Sequence, residues 1–182
     1  MSEDRERDWA ELEARALRLL EHAREIEPRD GVRRYGSLLR LWHFPAFGPQ
    51  ITWTILTPGR KTPPAAPPLV REVAWDRQAD HDRVFHSTNA VALGPSLRLR
   101  EGTLPAEGLR RLLDVGADLT VPLVGVANTV GLEGEYFGLE TYEVSPNVRV
   151  QWWGTGPTEW RHFIDWVAEL RAFLQRCLDQ AG

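Results

Sequence analysis

The amino-acid sequence predicts an α+β fold: a mostly antiparallel sheet of about five or six strands, with the N- and C-terminal helices packed on one face. Apolar residues recur every three or four positions near both ends, and short segments between them alternate apolar with polar residues. The 182 residues suit one domain. We predict a single domain over 1–182, with a helix within 1–30, a sheet-rich body with one internal helix over 31–153, and a C-terminal helix over 157–180.

The first predicted helix covers residues 3–27, and Pro28 with the following Asp30-Gly31 ends it. We expect its apolar stripe to pack on the body of the domain, and a partner helix is the alternative. The stripe consists of Trp9, Leu12, Ala16, Leu19, Leu20, Ala23 and Ile26.

Four strands and one helix are predicted next. Alternation is clearest at Ile51, Trp53 and Ile55, which are separated by polar Thr52 and Thr54. Pro105 begins the internal helix, and Gly116 closes it. The last of the four strands alternates Leu with Arg, which is typical of an edge strand. The strands cover 35–44, 50–57, 69–75 and 96–100, and the helix covers 104–114.

The next predicted feature is a hairpin formed by 136–144 and 148–153. With a three-residue loop at 145–147, Val144 faces Val148 and Glu143 faces Arg149. This register pairs apolar with apolar residues and acid with base, which stabilises neighbouring strands.

The C-terminal segment VRVQWWGTGPTEW continues from this strand into a helix. Gly154 and Gly156 break the strand, and Pro157 suits the first helical turn. The helix has an apolar stripe so broad that it is expected to pack on more than one side. The stripe consists of Trp160, Phe163, Ile164, Val167, Leu170, Leu174 and Leu178, widened by Trp166 and Phe173.

Charge and hydropathy exclude two classes of partner. Residues 1–30 hold ten acidic and six basic side chains and account for the whole formal charge of −4. The balanced remainder argues against a nucleic-acid surface. The charged N-terminus does not resemble a signal peptide, and no apolar run reaches the roughly 20 residues that span a bilayer. We predict a cytoplasmic protein without a membrane partner.

The motifs point to neither a cofactor nor a catalytic set. The glycine-rich segment 125–134 matches no nucleotide-binding motif, so no cofactor is predicted. His81 and His86 lie near Asp76, Asp80 and Asp82, but their spacing does not place both rings on one helix face. We therefore predict no metal ligands. A metal-dependent hydrolase that uses this cluster is kept as an alternative hypothesis.

Part of the C-terminal third resembles small uncharacterised bacterial proteins in which a short strand precedes a W-W-x-x-G-P-x-E-W turn and a final helix. This resemblance implies an α+β fold and no established activity. Compact bacterial proteins of this kind often look like immunity or accessory proteins of conflict and defence systems. The matching residues are Leu132, Gly134, Trp152, Trp153, Gly156, Pro157, Glu159 and Trp160, with Glu133 where the pattern has Asp.

The resulting functional hypothesis is a non-enzymatic module that binds another protein. Eight tryptophans support it, because Trp is over-represented at binding hot spots. The expected contact surface is the outward side of the hairpin, with Leu139, Thr141, Gln151 and Trp153. The further alternative is a small-molecule sensor with an aromatic pocket between sheet and helices.

Overall fold

A computed structural model describes residues 3–23, 26, 34–63, 65–86, 94–122, 134–142 and 147–181. Within these residues, six strands form one sheet and four α-helices accompany it, which confirms the predicted α+β class. The strands are β1 (Tyr35–Pro45), β2 (Gln50–Pro58), β3 (Leu69–Trp75), β4 (Leu97–Thr103), β5 (Glu135–Thr141) and β6 (Arg149–Trp153). The helices are α1 (Glu3–Glu21), α2 (Arg77–His86), α3 (Ala106–Ala117) and α4 (Arg161–Asp179).

The strand order is β4-β3-β2-β1-β5-β6, and every neighbouring pair is antiparallel. The first four strands form a meander in which each strand pairs with the one before it. The chain then crosses the sheet so that β5 pairs with the free side of β1, and β6 pairs with β5. The charged strand β4 lies at one edge of the sheet, as its sequence predicts.

The two terminal helices pack on opposite faces of the sheet, so the expectation that they share one face is wrong. Leu41 and Ile55 belong to a core with α4, whereas Val73 and Trp75 belong to a core with α1. The reason lies in β3, where Val70 and Val73 point to opposite faces and both are fully buried. A sheet that is apolar on both faces needs a helical layer on each.

The sequence predicts that Gly116 closes the internal helix, but Gly116 lies inside α3. The helix ends at Ala117, and Asp118 is its C-cap. A Cβ atom at Gly116 would lie 2.6 Å from Cε2 of Trp166 on α4. The glycine thus allows the two helices to approach closely, and the Trp166 indole N–H donates to the Leu112 carbonyl at 2.7 Å.

The hairpin forms, but its register differs from the prediction by three residues. Arg149 pairs with Glu140 instead of Glu143, and Val150 pairs with Leu139. Strand β5 ends at Thr141, where hydrogen bonds with Val148 close the hairpin. An acidic residue still faces Arg149, because Glu140 occupies the position expected for Glu143. Residues 143–146, which include most of the predicted loop, lie outside the described residues.

In the described part of the chain, no helix is both long enough and apolar enough to cross a bilayer.

Candidate functional site

A cavity of about 470 Å³ opens between the sheet and α4. Four strands and one helix contribute its walls, and the segments flanking β5 and β6 form its rim. Most of the lining is apolar, and several of the side chains are aromatic. The lining residues are Leu41, Trp42, Trp53, Gly134, Glu135, Phe137, Trp152, Gly154, Thr155, Ile164, Val167, Ala168 and Arg171.

The turn after β6 determines where α4 begins relative to the cavity. Gly154 and Gly156 have positive φ angles of 56° and 67°, which side chains disfavour and glycine adopts freely. A Cβ atom at Gly156 would lie 2.5 Å from Ile164 Cδ1 and 2.9 Å from Trp152 Cδ1. The missing side chain therefore lets the first turns of α4 pack directly beside the end of β6.

Two adjacent stripes of α4 have different roles. The buried stripe includes Phe163, Leu170 and Leu174, and it fills the core on this face of the sheet. Ile164 and Ala168, one turn apart, lie beside that stripe and line the cavity. Ala168 is small and exposed, so the cavity opens towards solvent where the helix lacks a bulky side chain.

A row of aromatic rings runs from β1 to α4 along the cavity. The His43 ring stacks on Phe137 with a centroid distance of 4.5 Å, and Phe137 stacks on Trp152 at 5.7 Å. Trp152 then meets Phe163 edge to face at 5.6 Å. These geometries are the favourable ones for aromatic pairs, so the row gives the cavity a firm wall.

Three ionisable side chains are grouped near Phe137, and two of them, Glu135 and Arg171, line the cavity. His43 Nε2 is 3.3 Å from Glu135 Oε2, and the Arg171 guanidinium carbon is 5.8 Å from the Phe137 ring centroid. Burial lowers the pKa of His43 below its ordinary value; the Glu135 carboxylate opposes this shift, and Arg171 adds to it. The imidazole is therefore neutral at neutral pH, between an acidic and a basic group.

Trp152 contributes a polar group that the described residues do not satisfy. Three other tryptophans have partners for their indole N–H groups. Trp53 donates to Glu72, and Trp75 donates to Asp80. Trp166 donates to the Leu112 carbonyl. Trp152 is 6% exposed, and its N–H has no hydrogen-bond partner among the described residues. A buried donor without a partner costs free energy, and a bound ligand can remove that cost.

The predicted partner surface does not lie on one side of the hairpin. Leu139 is in the core beneath α4, and Thr141, on the same side, is half-buried and accepts from the Val148 N–H. Gln151 and Trp153 are exposed on the opposite face. Leu139 pairs with Val150. The even-numbered residues of β5 therefore point to the same face of the sheet as Gln151 and Trp153. Tyr136 has this position, and its ring centroid is 6.1 Å from that of Trp153.

The cluster around His81 and His86 is engaged in structural contacts. The buried Asp80 carboxylate accepts from the Trp75 indole and from the Ser96 N–H, and it pairs with Arg83. Two other members of the cluster contact the backbone. His86 Nδ1 contacts the carbonyl of Asp82, and Asp76 accepts from a backbone N–H in the first turn of α2. Among the described residues, no three His, Cys, Asp or Glu side chains are grouped closely enough to hold a metal ion.

The sequence predicts an aromatic pocket as an alternative, but it does not identify the residues that form this cavity. Glu135 and Arg171 lie far apart in sequence and match no motif. One signal is present in retrospect: Ala168 is a small residue next to a bulky stripe, and Arg171 follows it on the same side of the helix.

No protein-family model, curated protein or solved structure matches this chain, so the resemblance of its C-terminal segment stays a prediction.

Proposed function

We propose that the protein binds a small, largely apolar molecule in the cavity beneath α4. The observation that carries this proposal is an aromatic-walled space of about 470 Å³ that ends at charged side chains. Sites for small molecules are mostly apolar clefts of about 300–1,000 Å³ with a few polar groups that orient the ligand. Trp152 and Arg171 supply such groups. This function corresponds to a sensor or carrier rather than to an enzyme.

The test uses two neutral probes, naphthylacetamide and cyclohexylacetamide, measured by isothermal titration calorimetry and by the melting temperature. We expect saturable binding of at least one probe, together with a higher melting temperature, because a ligand that binds only the folded state stabilises it. Ala168→Phe would place a ring in the cavity mouth and should abolish binding.

Ala172→Phe is the matched control, because Ala172 is also exposed on α4, one turn further on, and does not line the cavity. It should bind as the unmodified protein does. Far-UV circular dichroism shows whether both variants are folded, and Ala168→Leu is the milder replacement if Ala168→Phe is not. Absence of binding to both probes, or equal binding by Ala168→Phe, would overturn the proposal.

A second candidate function is binding to another protein, which is the role of an accessory or immunity protein. The specific observation in its favour is Trp153, which is 39% exposed on the edge strand β6 beside exposed Gln151. Exposed aromatic residues are common binding anchors, and an edge strand can pair with a partner strand. Co-purification from the native host would identify a partner. Unchanged affinity of Trp153→Ala for that partner would show that this surface is not the one used.

A further inference from the structure

We infer that the ligand of this cavity is an apolar carboxylic acid whose carboxylate binds at Arg171. This inference rests on the proposed function and specifies its ligand class. It combines three features of the cavity: a cation without an anionic partner and a buried N–H without an acceptor, both judged among the described residues, and a carboxylate at the rim that is exposed to water.

The first feature is the positive charge of Arg171. Other arginines that are largely buried in the sheet bind carboxylates: Arg40 contacts Glu140 at 2.9 Å, and Arg71 binds Glu101. Arg171 is half-buried against the Phe137 ring, yet it forms no hydrogen bond or ion pair with any residue in the described ranges. A guanidinium presents several donors in a plane that matches a carboxylate.

The second feature is the Trp152 indole N–H. An indole can only donate a hydrogen bond, so it needs an acceptor such as a carboxylate or carbonyl oxygen. Trp152 lines the same cavity as Arg171, and its N–H is buried without a partner among the described residues. Trp152 and Arg171 are both donors, and both favour a ligand that carries an acceptor.

The third feature distinguishes an anionic ligand from a cationic one. Glu135 could attract a cation, but its side chain is 55% exposed and lies 3.3 Å from His43. Water therefore screens its charge inside the cavity. Arg171 is less exposed and has the aromatic wall behind it, so its charge acts more strongly on a bound group.

The experiment compares three probes that share a naphthylmethyl group: naphthylacetate, naphthylacetamide and naphthylmethylammonium. We expect naphthylacetate to bind about tenfold tighter than the neutral amide at low salt, because a charge-assisted hydrogen bond is about twice as strong as a neutral one. Arg171→Gln should lower the affinity for naphthylacetate to that for the amide, so that this preference is lost. Arg161→Gln is the matched control, because Arg161 is exposed on the same helix outside the cavity, and it should keep the preference.

The outcomes separate this inference from the proposed function. Absence of binding by all three probes would overturn both. Equal affinity for acid and amide, or a preference that survives in Arg171→Gln, would overturn the inference while the binding function stands. Tighter binding of naphthylmethylammonium would also overturn it and would assign the charged end of the ligand to Glu135.

Discussion

Arg71 and Glu72 are adjacent on β3, and both are buried although both carry charge. Each one points to a different face and pairs with an opposite charge on β4, Arg71 with Glu101 and Glu72 with Arg100. The dipeptides Arg71-Glu72 and Arg100-Glu101 are complementary when antiparallel, so the sequence contains the register of this strand pair. It does not show that the pairs are buried, because burial depends on the helical layers.

At Arg71, replacement by Met should lower the free energy of unfolding by about 3–5 kcal/mol, since it breaks a buried ion pair. It also removes the donors to the carbonyls of Ala23 and Ile26, which tie the segment after α1 to the sheet. Urea unfolding followed by fluorescence measures the effect.

Arg111→Met is the control. It removes an exposed pair with Glu107 on α3 and should change stability by less than about 0.5 kcal/mol. Equal effects of the two substitutions would contradict this account.

His43 makes the stability of the fold depend on pH. Because burial lowers its pKa in the folded state, the unfolded chain takes up a proton first as the pH falls below about 6.5. Stability from this group is therefore present above that value and is lost towards acidic pH.

We expect His43→Phe, which keeps a ring against Phe137, to remove this component. The difference in unfolding free energy between the variant and the unmodified protein should be constant above about pH 7.5. Below about pH 6.5, the unmodified protein should lose stability relative to the variant. Urea unfolding at several pH values measures both curves, and parallel curves across this range would exclude His43 as the source.

At the scale of elements, the close approach of α3 and α4 depends on Gly116. Gly116→Ala improves helix propensity by about 1 kcal/mol, but overpacking a core costs about 1–3 kcal/mol. We expect the second effect to dominate, because the Trp166 ring is held by its hydrogen bond to Leu112 and cannot easily move.

The matched control is Gly108→Ala in the same helix. There a Cβ atom would meet only the edge of the half-buried Phe173 ring at 3.2 Å, so the effect should be small or stabilising. Chemical denaturation of both variants measures the difference. A Gly116→Ala variant as stable as Gly108→Ala would show that the two helices are not closely packed at this position.

Element positions are more predictable from this sequence than element pairings. The strands of the meander and α4 follow from alternation and from the apolar stripe, because each signal is local. The hairpin register is ambiguous, since Glu140 and Glu143 could each face Arg149. Pairing Glu143 with Arg149 puts Leu139 on the outer face, whereas the observed pairing of Glu140 puts it in the core. The cavity is still less predictable. Its walls come from four strands and a helix, and they meet only when every register is correct.

At the scale of the whole molecule, one sheet forms part of two hydrophobic cores. Leu20 on α1 and Leu170 on α4 are both fully buried, on opposite faces. Leu20→Ala and Leu170→Ala should each cost about 2–5 kcal/mol. Because β3 contributes to both cores, we expect one unfolding transition, with coincident fluorescence and circular dichroism curves, and additive effects in the double variant within about 0.5 kcal/mol. Two separate transitions would indicate that the layers unfold independently.

The crossing that brings β5 to β1 has a consequence for synthesis and refolding. Leu39 pairs with Thr141, so the centre of the sheet is completed only after most of the chain is available. Such non-local pairing closes a long loop and slows folding. Until it forms, β1 is an unprotected edge strand that can recruit another chain. The strand that lies at the centre of the finished sheet is therefore the site at which a nascent chain is most exposed to aggregation.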